Sequence, residues 1–188
     1  MIRPVLVEPS TELPVSVEEV KLSLRWDGDD LDTEIEAQIK AAVDHYEGWN
    51  GVLGISIREQ EWRQDFVGFE SMLYLPIGPV KAEGMAVTYR NGAGQISTLP
   101  TSDYAVRYDG GGRAFVCFDA GYSFPGDLYE HEPVSVTYTA GFETIPQDIK
   151  SAIKLRVQMH IDEAAKANYE YLTRAESALI SKYRRNDI

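Results

Sequence analysis

Cysteine is nearly absent from this chain: Cys117 is the only one in 188 residues. A single thiol excludes an internal disulfide framework and any cysteine-rich zinc site. Histidine is also scarce, with His45, His131 and His160 far apart and at no metal-ligand spacing. Positive charge is in short supply. Lys and Arg number 18 against 30 Asp and Glu, a formal charge of −12. That is the wrong sign for gripping nucleic acid by its phosphates, or an anionic membrane by a polybasic surface. No run approaches the roughly 18 apolar residues of a membrane helix. Near the start, Pro4, Glu8 and Pro9 interrupt any apolar signal core, so a soluble protein of the cell interior is expected. There is no Asn-x-Ser/Thr sequon, no lipidation motif and no internal repeat.

Catalytic signatures fail one by one. Gly54-Ile55-Ser56-Ile57-Arg58 begins like a nucleophile elbow, but Arg58 stands where the closing glycine belongs. Gly121-Tyr122-Ser123-Phe124-Pro125 fails in the same way. Gly92-Ala93-Gly94 lacks the third glycine of a dinucleotide loop, and no Walker loop occurs. The acidic turn from Asp27 to Asp32 is out of register for an EF-hand, whose glycine and final glutamate positions hold Asp32 and Gln38. Helix capping and solvation explain it better. Cys117, inside Phe115-Val116-Cys117-Phe118, reads as a buried strand residue. No catalytic residue, cofactor or metal site is assigned.

What is present falls into three textures. Residues 1–50 read as helical. Ser16 and Glu19 form a capping box, and Val17, Val20 and Leu24 mark one face of a helix over 16–24. A second helix over 31–46 carries Leu31, Ile35, Ile39, Ala42, Val43 and Tyr46 at spacings of three and four. Residues 51–142 read as β, with strands expected between 55 and 138. Asn91-Gly92 and Asp109 to Gly112 are hairpin signals, and Val134, Val136 and Tyr138 alternate with Ser135, Thr137 and Thr139. Residues 143–188 return to helix, with one expected over 147–165 and a further one towards the C-terminus. The fold class is therefore α+β: a helical body formed by the N- and C-terminal helices, with an inserted antiparallel β-sandwich-like domain. Tyr169, Tyr171 and Tyr183, beside arginines, are candidates for an interface.

The order of certain segments resembles a known family. They are Val7-Glu8-Pro9, Leu13-Pro14-Val15-Ser16, Tyr46-Glu47, Glu61-Trp62-Arg63, Leu73-Tyr74-Leu75-Pro76, Gly78-Pro79-Val80, Thr139-Ala140-Gly141-Phe142, Ile145-Pro146, and Ala178 to Arg184. Together they resemble the head–tail connector (adaptor) proteins of long-tailed bacteriophages and gene transfer agents. The stretch after His160 departs from that pattern, lacking its Tyr-x-x-Arg-Glu run. The resemblance implies a structural role without catalysis. It implies a virion protein of the head–tail junction, assembled in the host cytoplasm into a ring of about twelve copies below the portal protein. Its other neighbour would be the next connector, a stopper or a tail protein. DNA would pass through the channel without specific binding, helped by acidic walls. The resemblance also places the C-terminus towards the head, so Leu179, Tyr183, Arg184 and Arg185 are expected to dock onto a neighbouring ring. Two rival classes stand beside this. One is a ligand- or carbohydrate-binding β-sandwich protein or hydrolase, and the other is a different neck or tail ring component.

Overall fold

The computed structural model describes residues 2–185. They form two compact units. One comprises the residues up to Pro9 together with Glu59–Gly141, and the other comprises Ser10–Arg58 and the chain from Phe142 onward. The chain thus enters the β unit first, leaves for the helical unit, returns, and finishes among helices.

The helical unit holds α1 (Val17–Leu24), α2 (Asp32–Tyr46), α3 (Gln147–Ile161), α4 (Glu163–Lys166) and α5 (Tyr169–Ile180), closed by a 3₁₀ turn at Ser181–Tyr183. The capping box forms as the sequence predicts. Ser16 Oγ accepts from the Glu19 amide, and the Glu19 carboxylate accepts from the Ser16 amide, both at 3.1 Å. Glu19 also pairs with Lys150 on α3 at 3.2 Å. Lys21 Nζ lies between Asp29 (2.7 Å) and Asp32 (2.8 Å), so two of the acidic-turn carboxylates bind a lysine and close α1 onto α2. The core joins both ends of the sequence: Val20, Ile35, Ile39 and Tyr46 bury against Ile149, Ile153 and Val157. Each fully buried aliphatic side chain contributes on the order of 1.5–3 kcal/mol.

Two expectations change in this unit. Ile55 and Ile57 alternate like a strand, yet both are buried in the helical core. Their segment is held by the end of α2, where the Glu47 carboxylate accepts from the Ile57 amide at 2.5 Å. The helix expected over 147–165 stops at Ile161. Asp162 turns extended (φ −90°, ψ 116°) and its side chain accepts from the Ala164 amide, starting α4 afresh. An aspartate that can cap competes with helix continuation.

The β unit holds β1 (Val5–Glu8), β2 (Gln60–Phe66), β3 (Met72–Tyr74), β4 (Ala86–Arg90), β5 (Ile96–Thr98), β6 (Tyr104–Tyr108), β7 (Ala114–Phe118) and β8 (Val134–Ala140). They make a five-stranded sheet, β1-β2-β8-β4-β5, and a three-stranded sheet, β3-β7-β6, with every strand pair antiparallel. β8 runs between β2 and β4, and Val134, Val136, Tyr138 and Ala140 on one of its faces are buried. β1 is an element the sequence reading missed, since all four of its residues are exposed and carry no alternation.

Both hairpin signals mark turns, with altered chemistry. The Asn91 turn is longer than two residues. Asn91 Oδ1 accepts from the Gln95 amide, and Gly94 rather than Gly92 takes the left-handed conformation (φ 82°). Asp109 Oδ1 accepts from the Gly111 and Arg113 amides, while Gly112 takes φ 77°. In each case a side-chain oxygen closes the loop and a later glycine supplies the positive φ. Cys117 is only half-buried, on the face opposite the buried Ala114 and Val116, with its thiol donating to the Ala105 carbonyl at 3.4 Å.

Loss of the capping box isolates one local contribution. Ser16→Ala is expected to cost about 1 kcal/mol, read as a lower denaturation midpoint with an unchanged m-value.

Candidate functional site

Helix α5 carries Leu179 and leads through the 3₁₀ turn into Tyr183, Arg184 and Arg185, so its attachment decides where the residues singled out for docking sit. Its inward stripe runs Leu172, Glu176, Ile180, at intervals of four. Glu176 is 4% exposed. A buried carboxylate is costly unless it is paired and hydrogen-bonded. Here the Tyr46 hydroxyl from α2 donates to Glu176 Oε1, and Arg156 Nη1 from α3 donates to the same oxygen at 3.0 Å. The Arg156 guanidinium also lies 5.8 Å from the centroid of the Tyr46 ring. Burial first, and then the Glu176 carboxylate, push the Tyr46 phenol well above its ordinary value, so it remains a donor. Three helices therefore meet on one carboxylate.

Beyond this anchor, Leu179 and Tyr183 are half-buried against the helical core, and the Tyr183 ring meets Phe142 edge-on at 6.1 Å. The Arg185 amide donates to the Leu53 carbonyl at 3.0 Å. Arg184 is exposed. Lys182 pairs with Asp148 at 2.5 Å. Of the four predicted docking residues, Leu179, Tyr183 and Arg185 are thus tied into their own unit, while Arg184 faces solvent. Tyr169 and Tyr171 project from the start of α5, 52% and 74% exposed.

The other candidates are dispersed. His131 is exposed near Glu130, and His160 is exposed at the end of α3. His45 is half-buried, edge-on to Tyr46 at 5.3 Å. Ser56 is buried and donates to the Arg58 carbonyl, and Ser123 lies in an exposed loop. Among the described residues no group of three or more His, Cys, Asp or Glu could hold a metal ion, and no helix is long and apolar enough to cross a membrane. The sequence reading missed the Tyr46–Arg156–Glu176 cluster. Its signal was a glutamate placed four residues from both Leu172 and Ile180.

No family model matches the chain, and no curated protein matches it. Solved structures do. A chain in the neck of an empty GTA particle computed with C6 symmetry aligns at TM-score 0.75 and 19% identity, covering 100% of this chain and 97% of that one. A chain of the virion of a native gene transfer agent (GTA) particle aligns at 0.73 and 21%, with 100% and 97% coverage. A third, from the neck of a native GTA particle computed with C12 symmetry, aligns at 0.66 and 21%, with 98% and 97% coverage. At these identities the likeness is one of fold, and it takes in both units of the α+β architecture.

Two outcomes are expected. Arg156→Ala leaves Glu176 buried without its cation and costs about 3–5 kcal/mol, measured by denaturant unfolding. The second concerns His45. Burial, and then Arg156, hold its imidazole below the ordinary 6.5. As pH falls, the unfolded chain takes up that proton first. The stability tied to neutral His45 is therefore full above 6.5 and is lost as pH drops from there towards the depressed folded value. His45→Asn is expected to flatten this part of the thermal stability profile, with no effect above neutral pH.

Proposed function

We propose that this chain is a structural subunit of the neck of a tailed-phage-like or gene-transfer-agent particle, a head–tail connector of the adaptor kind. The observation that carries the reading is the fold likeness to chains of gene-transfer-agent necks and of a virion over essentially the whole length of both partners. In this reading the subunits form a ring of about twelve copies by head-to-tail contact. The ring sits below the portal, extends the DNA channel and receives the next connector or tail component. The formal charge of −12 suits a channel through which phosphates slide without sticking. The dispersal of histidines, serines and the one thiol gives no support to the hydrolase alternative.

The C-terminal segment of Leu179, Tyr183, Arg184 and Arg185 is proposed to dock on the neighbouring portal ring. Leu179 and Tyr183 hold the segment on the helical core, and Arg184 offers its guanidinium to partner carboxylates, a fork geometry that favours bidentate pairing. Ring formation is tested by negative-stain microscopy and mass photometry of the purified chain, alone and with the portal protein of the same particle. Rings in complex with portal are expected; a persistent monomer that ignores portal overturns the reading. Arg184→Glu is expected to leave the melting temperature unchanged and weaken portal binding about tenfold or more. Leu179→Ala should instead lower stability.

A further inference from the structure

The three-stranded sheet ends at β3, which pairs with β7 alone. The Ser71 carbonyl accepts from the Phe118 amide, and the Leu75 amide donates to the Ala114 carbonyl. Hydrogen-bonded positions alternate along an antiparallel ladder. Residues 71, 73 and 75 therefore turn their main-chain groups to β7, and those of Met72 and Tyr74 point outward from the sheet edge.

Beside this edge lies a groove of about 440 Å³ with an apolar wall of Ile2, Phe66, Val67, Met72 and Tyr74. Val67 is 76% exposed. Two further lining residues are acidic, Asp65 and Glu70, and none is basic. Asp65 is already held by Arg63 at 3.0 Å and Ser135 at 2.6 Å. Glu70 is exposed and has no ion-pair partner among the described residues. Gln64, the remaining lining residue, is 1% exposed. Its Nε2 donates to the carbonyls of Ile2 (2.9 Å) and Asp65 (2.8 Å), which fixes the orientation of the amide. Its Oε1 is then a buried acceptor with no donor. Buried acceptors in folded proteins are almost always satisfied, by protein groups or by ordered water.

We propose that the groove is a strand-addition site for an extended segment of a different protein chain, one in which an apolar residue has lysine or arginine two positions before and after it. The segment lies along β3 and exchanges main-chain hydrogen bonds with Met72 and Tyr74. Every second side chain enters the groove. A cation two positions from the apolar residue shares its face and meets Glu70. Charge decides the class of partner: with Asp65 compensated by Arg63, the exposed Glu70 carboxylate beside the apolar wall repels an acidic strand and draws a basic one. The proposal stands apart from the neck reading and can fail without it.

The test is a titration of the isotope-labelled full chain with the peptide acetyl-Lys-Thr-Val-Thr-Lys-amide, followed by amide chemical shifts. Saturating shifts are expected at the Met72 and Tyr74 amides and the Gln64 side-chain amide. The counterpart with glutamate in place of both lysines should bind about tenfold more weakly. Met72→Pro removes an outward N–H while sparing the β7 ladder, and should abolish binding. Glu70→Lys, a surface change that does not threaten folding, should invert the preference between the two peptides. Three results would overturn the proposal: no shifts at millimolar peptide, equal binding of the acidic peptide, or the same shifts produced by raising protein concentration alone. The last would assign the groove to a second copy of the chain.

Discussion

The attachment of α5 to the helical unit centres on one buried carboxylate. Glu176 reaches inward from α5 and takes donors from Tyr46 on α2 and Arg156 on α3. Apolar packing alone would hold α5 weakly, because few of its side chains are buried; Glu176 and Ile180 are the fully buried ones. A buried ion pair often contributes little net stability against an apolar substitute, yet breaking it by removing one partner is expensive. In the observed orientation of α5 Glu176 meets both donors, Leu179 and, beyond the helix, Tyr183 rest on the core, and Arg184 faces solvent.

The β unit is organised on a different principle. Strand β8 buries every second residue between β2 and β4, and both sheets leave edges unpaired at their margins. Such edges are usually shielded in proteins that stay alone. Here β1 carries Val5, Leu6 and Val7 at 40–47% exposure, and β3 borders an apolar groove. Surfaces of this kind fit a subunit that acts through neighbours, which is the sense of the neck proposal.

Local signals in the sequence were legible where side chains act on their own backbone or where one face is wholly apolar. The Ser16–Glu19 box, the Ile35–Ile39–Tyr46 stripe and the Val134–Val136–Tyr138 alternation all belong to that class, and the α+β architecture followed from them. Misreadings came where a distant partner decides. Ile55 and Ile57 alternate like a strand but are claimed by the helical core and by the Glu47 carboxylate. β1 exists because β2 offers an edge, not because its own four residues have a pattern. Glu176 looks like a surface glutamate until Tyr46, 130 positions earlier, and Arg156, 20 positions earlier, are brought to it. Of the residues proposed to dock, the sequence showed suitable chemistry, but which of them face solvent depends on contacts with Phe142 and Leu53 that no local pattern announces.

The central claim is that this chain belongs to a neck ring, and locating it in an assembled particle tests that most directly. Particles from cells expressing the chain would be imaged by cryo-electron microscopy, and the neck reconstructed with the symmetry determined from the data. The account predicts a rotationally symmetric ring between the portal and the first tail component, into which both units of this fold can be traced. Particles that assemble complete heads joined to tails without the chain, with that position filled by another protein, would contradict it.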